Sequence, residues 1–293
     1  MNASSEKLAH SKIVFYGAGS MAEALVRGLV DTGAAPAENI TVFNRSNAER
    51  LGELRERYGI STAATEAARQ DALVTADVIV LAMKPKDAAG ALKALAPTLR
   101  AEQLLVSLVA GLSTDTIRAL TRADHPVVRT MPNTSSSIGL GATGLSFSAG
   151  LPEDVRRLAL GLFGAVGIAQ VVEESQLEAV TAVSGSGPAY LYFVMEAMIA
   201  AGIAQGLSPE TARELTVQTA RGAAEMVRLT GEEPAELRRR VTSPNGTTQA
   251  AIETLQRLGV DAAIGEAMKR CADRAGEMGR AIAAEALKSE QKL

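Results

Sequence analysis

Up to about residue 172 the chain alternates short β-branched runs with amphipathic stretches, and that alternation restricts the fold more than any other feature. KIVFYG (12–17), NITVFNR (39–45), DVIVLAMK (77–84), LLVSLVAG (104–111) and HPVVRTMP (125–132) have strand length and end in turn-forming or polar residues. Between them, SMAEALVRGLV (20–30) and SNAERLGELRERY (46–58) carry helical periodicity. Strands that alternate with helices predict a parallel sheet covered on both faces. TGLSFS (143–148) and AQVVEE (169–174) predict further strands, with PEDVRRLALGLFGAV (152–166) as the helix between them.

From about residue 173 the character changes. Helical periodicity rich in Ala, Met and Leu takes over, broken at SGSGP (184–188), LSP (207–209), GEEP (231–234) and SPNG (243–246). Pro188, Pro209 and Pro234 each suit the first turn of a helix. The expected division is an α/β domain over 1–172 and an all-α domain over 173–293, which a chain of 293 residues is long enough to support.

With 47% hydrophobic and 22% charged residues, the composition is that of a soluble globular protein. A net charge of −3 and the lack of a basic stripe argue against a nucleic-acid partner. The single cysteine, Cys271, excludes an intrachain disulfide and fits a reducing, cytoplasmic compartment; its helical setting predicts a packing role. The opening MNASSEKLAHSK lacks the apolar region of a secretory signal. YLYFVMEAMIAAGIAQGL (190–207) is interrupted by Glu196 and Gln205. It falls short of the roughly 20 apolar residues that span a bilayer, so a buried or interface helix is expected and no membrane partner. No His/Cys cluster has metal-ligand spacing, so no metal is expected.

FYGAGSMAEAL sets Gly17, Gly19 and Ala22 in a G-x-G-x-x-A pattern between a predicted strand and a predicted helix, with Ser20 and Met21 inside it. The first glycine permits a tight turn, and the second lets a pyrophosphate approach the amides of a helix N-terminus. Small residues also let a helix pack closely on a strand. The next strand ends in Asn44, Arg45 and Ser46, where an NAD site usually carries an acidic residue; donors and a positive charge suit the 2′-phosphate of NADP instead. AMKP (Ala82, Met83, Lys84, Pro85) and RTMPNT (129–134) also lie at strand ends, where ligands of open α/β sheets collect, although for either stretch taken alone a polar, proline-terminated strand end is the preferred reading, with Lys84 solvated. SPNGTT (243–248) reads first as a turn between helices.

Together these stretches resemble the pyrroline-5-carboxylate reductase family. GAGSMA, AMKP, SLVAGL (107–112), RTMPNT, TAVSGSGPAY (181–190) and SPNGTT occur in family order from residue 13 to about 260. The resemblance implies an α/β Rossmann-type N-terminal domain followed by an all-α dimerisation domain, with the active site where the domains meet. It implies a homodimer, or a larger ring of dimers, built through the helical halves. The cofactor implied is NADPH, with NADH as second candidate, and Leu108, Val109 and Ala110 join the cofactor-binding set. On the substrate side it implies Ser243 and the amides around Gly246, Thr247 and Thr248 for the carboxylate, with Thr248 at the nitrogen as the catalytic residue. Ser184 and Glu174 complete that pocket, while the glycines of SGSGP are equally explained by close packing.

The implied reaction reduces the cyclic imine 1-pyrroline-5-carboxylate to L-proline, the last step of proline synthesis. Neither His10 nor His125 lies in a matching motif, and neither is assigned to catalysis. The family's usual SPGG is SPNG here, the usual AVKP is AMKP, and ARQD (68–71) replaces an Asn-containing stretch near the adenosine side. Two rivals share the layout: a β-hydroxyacid-type NADP dehydrogenase, and a non-catalytic NADP-binding regulatory paralogue.

Overall fold

The computed structural model describes residues 3–288, with side chains over 7–285. Among them, eight strands form one sheet: β1 Ile13–Tyr16, β2 Ile40–Phe43, β3 Ser61–Thr62, β4 Val78–Leu81, β5 Leu104–Ser107, β6 Val127–Met131, β7 Gly141–Phe147 and β8 Gly167–Val171. Their spatial order is β3-β2-β1-β4-β5-β6-β7-β8.

Successive residues of a strand point to opposite faces, and the sheet uses both. Ile13, Phe15, Val78, Val80, Leu104 and Val106 enter one core, closed by Leu25 and Leu29 of the helix Ser20–Asp31 and by Phe163 of the helix Glu153–Gly164. Val14, Ile79, Leu81 and Leu105 enter the other, closed by Leu92 of the helix Pro85–Leu95 and Ile117 of the helix Thr114–Thr121. Each such buried side chain stabilises the fold by about 1.5–3 kcal/mol, which is why the strands read as unbroken apolar runs.

Two features depart from the expected sheet. β3 has only two residues, too few for a pattern. β7 runs antiparallel to β6, pairing Val128 with Phe147 and Arg129 with Ser146, so the sheet is mixed at this edge and not wholly parallel. Its cause is the link between them, which contains only the 3₁₀ turn Thr134–Ile138. A parallel return needs a crossover of a dozen or more residues. β8 follows the helix Glu153–Gly164 and pairs parallel to β7.

The compact units also divide differently from the expected break at 172/173. One comprises residues up to Ser186 together with those from Cys271 onward, and the other is Gly187–Arg270. The strands end near 172, but the helical turns that follow bury Leu177 and Ala182 in the first unit. The C-terminal helix Val260–Lys288 returns its last part to the same unit, where Ile282 joins the second core. Gly111 (φ +77°) makes the approach tight: a Cβ there would stand 2.8 Å from the Gly279 nitrogen, so the helix backbone rests on the loop backbone. Cys271 is half-buried and donates to Ser186 Oγ at 3.2 Å.

The second unit holds the helices Gly187–Ala204, Pro209–Thr230, Pro234–Arg240 and Thr247–Arg257. Ser208 caps the second by accepting from Thr211 N–H at 3.1 Å, and Gly231 ends it in the left-handed conformation. Among its described residues only Ala212 and Thr216 are buried, whereas Leu191 is 61% and Phe193 72% exposed. So small a core cannot offset the entropy of ordering four helices, and apolar exposure on this scale marks an interaction surface.

Candidate functional site

β1 has β2 on one side and β4 on the other, and at such a switch point the strand ends leave a crevice. Here it measures about 870 Å³, and Gly17, Gly19, Asn44, Arg45, Ser46, Ala82, Met83 and Lys84 all line it. Gly17 has φ +125°, and a Cβ would stand 2.4 Å from the Ala82 carbonyl oxygen. Gly19 N-caps the helix Ser20–Asp31 with no side-chain cap, and a Cβ on it would meet nothing within 4 Å. The N–H groups of Ser20, Met21 and Ala22 therefore have no intrahelical acceptor, an arrangement that receives an anion, although Ser20 and Met21 themselves lie outside the crevice lining.

Arg50, not singled out in the sequence, fixes this turn from the next helix, Ala48–Tyr58. Its Nε donates to the Ala18 carbonyl at 3.2 Å, Nη1 to Glu53 at 2.9 Å, and Nη2 to Glu23. Glu23 also accepts from Arg57 at 2.9 Å and from the Tyr58 hydroxyl at 3.0 Å. Burial pushes the Glu23 carboxyl up, but the hydrogen bonds from Arg50 and Tyr58 and the charges of Arg50 and Arg57 outweigh it and hold the group below the usual range. Tyr16, at the end of β1, packs on Phe43 with ring centroids 4.5 Å apart, and burial raises its hydroxyl above its ordinary pKa.

Other expected cofactor residues are engaged locally or lie outside the crevice lining. The Asn44 amide donates to the Asn47 carbonyl at 2.8 Å and accepts from Asn47 N–H at 2.8 Å, so it shapes the turn after β2. Pro85 is the first residue of the helix Pro85–Leu95 and lies outside the crevice lining. Leu108, Val109 and Ala110 also lie outside it. Leu108 extends the ladder by donating to Leu81 at 3.0 Å, and the Val109 side chain is buried in the second core, leaving only its backbone for any ligand.

Glu174 is engaged within the first unit. Its Oε1 accepts from Thr114 N–H at 2.9 Å and from Arg129 Nη1 at 3.3 Å, while Glu178 accepts from Arg129 Nη2 at 3.0 Å. The nearly buried guanidinium is thus compensated by two carboxylates. Ser184 sits in the π-helical turn Thr181–Gly185, a distortion frequent at functional sites. Its hydroxyl donates to the Val180 carbonyl at 3.1 Å, and its own carbonyl accepts from Asn133 of the RTMPNT stretch at 3.0 Å. His125 is buried just before β6, away from the crevice end of the strands, and His10 is exposed.

In the second unit, SPNGTT forms an exposed turn into the helix Thr247–Arg257. Asn245 adopts φ +59°, which asparagine accepts more readily than other non-glycine residues. Gly246 N-caps the helix without a side-chain cap, and a Cβ on it would stand 2.5 Å from Ser243 Oγ. The amides of Thr247 and Thr248 are therefore free of intrahelical acceptors, and Ser243 lies beside them. This is a second anion-receiving helix start, edged with hydroxyls.

Comparison with known proteins bears on both units. Residues 12–111 match the model described as NADP oxidoreductase coenzyme F420-dependent, and residues 174–278 match pyrroline-5-carboxylate reductase dimerisation. Pyrroline-5-carboxylate reductase 1 of Bacillus subtilis is 43% identical over 271 residues, 92% of this chain and 90% of that protein. A pyrroline-5-carboxylate reductase structure from Coxiella burnetii superimposes with a TM-score of 0.85 at 37% identity, covering 92% of this chain and 98% of that one. The Plasmodium falciparum pyrroline carboxylate reductase with NADP bound gives 0.82 at 26% identity, covering 93% and 99%. The dimerisation match covers the exposed apolar helix Gly187–Ala204. By length and composition alone the stretch Glu174–Ala204 is also long and apolar enough to cross a membrane.

Proposed function

The chain belongs to the pyrroline-5-carboxylate reductase family, and we propose that it reduces 1-pyrroline-5-carboxylate to L-proline with NADPH, the last step of proline biosynthesis. The observation that carries this is the pair of uncapped helix starts: one behind a glycine cradle beside an 870 Å³ crevice, the other behind a turn bearing Ser243, Thr247 and Thr248. The first fits a dinucleotide pyrophosphate and the second a small carboxylate.

NADPH, when bound, supplies the hydride. Gly17 and Gly19 keep side chains out of the pyrophosphate's path, and the Ser20 and Met21 amides donate to it. Arg45 and Ser46 meet the 2′-phosphate, and Ala82, Met83 and Lys84 border the crevice from the end of β4. Asn44 acts through the turn it braces, and Leu108, Val109 and Ala110 through main chain.

On the substrate, Ser243 and the amides following Gly246 hold the carboxylate, and the Thr248 hydroxyl orients the ring nitrogen. A carbon–nitrogen double bond becomes electrophilic once its nitrogen is protonated, so the reaction asks little of a strong side-chain acid. Positioning supplies the larger effect, up to about 7–11 kcal/mol for well-aligned reactants. Ser184 contributes through the π-turn it braces with Asn133. Glu174, whose Oε1 accepts from Thr114 N–H and from Arg129, keeps its proposed place at the substrate pocket. The helical unit is proposed to form a homodimer, or a ring of dimers, and the enzyme to work in the cytoplasm.

The test is NADPH consumption with 1-pyrroline-5-carboxylate, with L-proline identified as product, beside NADP reduction by β-hydroxy acids. Proline formation is expected. Turnover of hydroxy acids alone would favour the dehydrogenase rival, and NADPH binding without turnover of either would favour the regulatory one.

A further inference from the structure

The cofactor crevice contains a carboxylate where an NADP site is expected to be cationic. Asp87, in the first turn of the helix Pro85–Leu95, pairs through Oδ1 with Arg45 Nη1 at 3.3 Å. Arg45 follows β2, Asp87 follows β4, and β1 lies between those strands. Neighbouring strands are spaced about 4.8 Å apart, so the two strand ends stand about 10 Å apart and the pair reaches across the end of β1. Both side chains line the crevice with Gly17, Gly19 and Ser46. Tyr16, at the end of β1, lines the same crevice beside the pair.

We propose that Asp87 is a selectivity residue: it competes with the nucleotide 2′-phosphate for Arg45. With no nucleotide bound, Arg45 rests on Asp87. A 2′-phosphate draws the guanidinium away, because an arginine–phosphate pair is bidentate and stronger than one exposed contact to a carboxylate. That exchange leaves Asp87 facing a dianion without its partner, which weakens the nucleotide's hold. An unphosphorylated ribose draws nothing from Arg45 and meets no such opposition. The acidic group that an NAD site carries after β2 is thus present here after β4, where it tempers the affinity for NADP(H) and keeps the oxidised product exchangeable. The Arg45 side chain is 80% exposed, so removing its partner costs the fold little.

The inference rests on the dinucleotide assignment of this crevice, and the experiment separates the two. Calorimetric titration of adenosine 2′,5′-bisphosphate and of 5′-AMP is made into the native protein, Asp87→Asn, Arg45→Ala and the double variant, with melting temperatures alongside. Asp87→Asn is expected to tighten the bisphosphate about twofold to fivefold, within the range open to exposed charge pairs. It should move 5′-AMP less than twofold, and its effect on the bisphosphate should shrink when Arg45 is absent. If the native chain binds the bisphosphate and Asp87→Asn leaves it unchanged, weakens it, or shifts both nucleotides alike, the competition is refuted while the cofactor site stands. A native chain that binds neither these nucleotides nor NADPH overturns the crevice assignment and the competition with it.

Discussion

Substituting Gly17 and Gly19 separately distinguishes what the glycine turn does for the fold from what it does for the cofactor. At Gly17 the backbone has φ +125°, and an added Cβ would stand 2.4 Å from the Ala82 oxygen and 2.6 Å from its carbonyl carbon. Neither neighbour is free to yield: Gly17 N–H donates to Phe43 at 2.8 Å and Ala82 N–H donates to Tyr16 at 2.9 Å. The forced backbone conformation costs about 1–3 kcal/mol. Relieving the clash costs one ladder hydrogen bond, about 1 kcal/mol more. Gly17→Ala is therefore expected to lower the melting temperature by about 5–15 °C and to abolish tight NADPH binding. Gly19→Ala differs, because φ is −75° and a Cβ there meets nothing within 4 Å. Its stability should stay within about 1 kcal/mol of native, while the methyl occupies the pyrophosphate's approach and weakens NADPH by at least about tenfold. The chain has no tryptophan, so binding is best read by calorimetry and stability by calorimetric or dichroic melting. A Gly17→Ala protein that melts and binds like native would refute the close approach, and unchanged NADPH affinity in Gly19→Ala would refute the cradle.

Burial holds the His125 imidazole below its ordinary pKa of 6.5, against hydrogen bonds to the Arg100 and Ala101 backbone that raise it, and Nδ1 has no partner among the described residues. The unfolded chain therefore takes up the proton first as pH falls, so stability is complete above about 6.5 and declines below it. His125→Gln should remove this component, and matching native and variant melting curves between pH 7.5 and 5 would contradict it. Asn245→Gly should keep activity and fold because glycine accepts φ +59° freely. Asn245→Val should strain the turn and raise the KM for 1-pyrroline-5-carboxylate, and equal KM values in the two variants would show that the turn geometry is immaterial.

The central strands of the first unit were legible because the sheet is buried on both faces there, which demands unbroken β-branched runs. Direction was not legible: nothing in TGLSFS distinguishes an antiparallel return from a parallel one, and only the short link before β7 decides it. The reach of the first unit past residue 172 depends on Ile282 and on Gly279 against Gly111, contacts between residues more than 160 positions apart in the chain. Within the site, Gly17 and Gly19 announce themselves because no other residue suits their backbone or leaves their space open. Arg50, Tyr16 and Asp87 carry no local signal, since each matters through a neighbour brought close by folding: the Ala18 carbonyl, Phe43 and Arg45. Burial of the Val109 side chain was not legible for a related reason: the apolar character that marks the motif also draws the side chain into the core.

The most direct measurement is steady-state proline formation from 1-pyrroline-5-carboxylate and NADPH by the native chain and by Thr248→Val, at matched melting temperature. The native chain is expected to turn over and Thr248→Val to lose about fivefold to thirtyfold in kcat with NADPH affinity unchanged, since one orienting hydrogen bond is worth about 1–2 kcal/mol. Native turnover that survives undiminished in Thr248→Val would contradict the role of the hydroxyl, and a folded, NADPH-binding native chain that forms no proline would contradict the assignment itself.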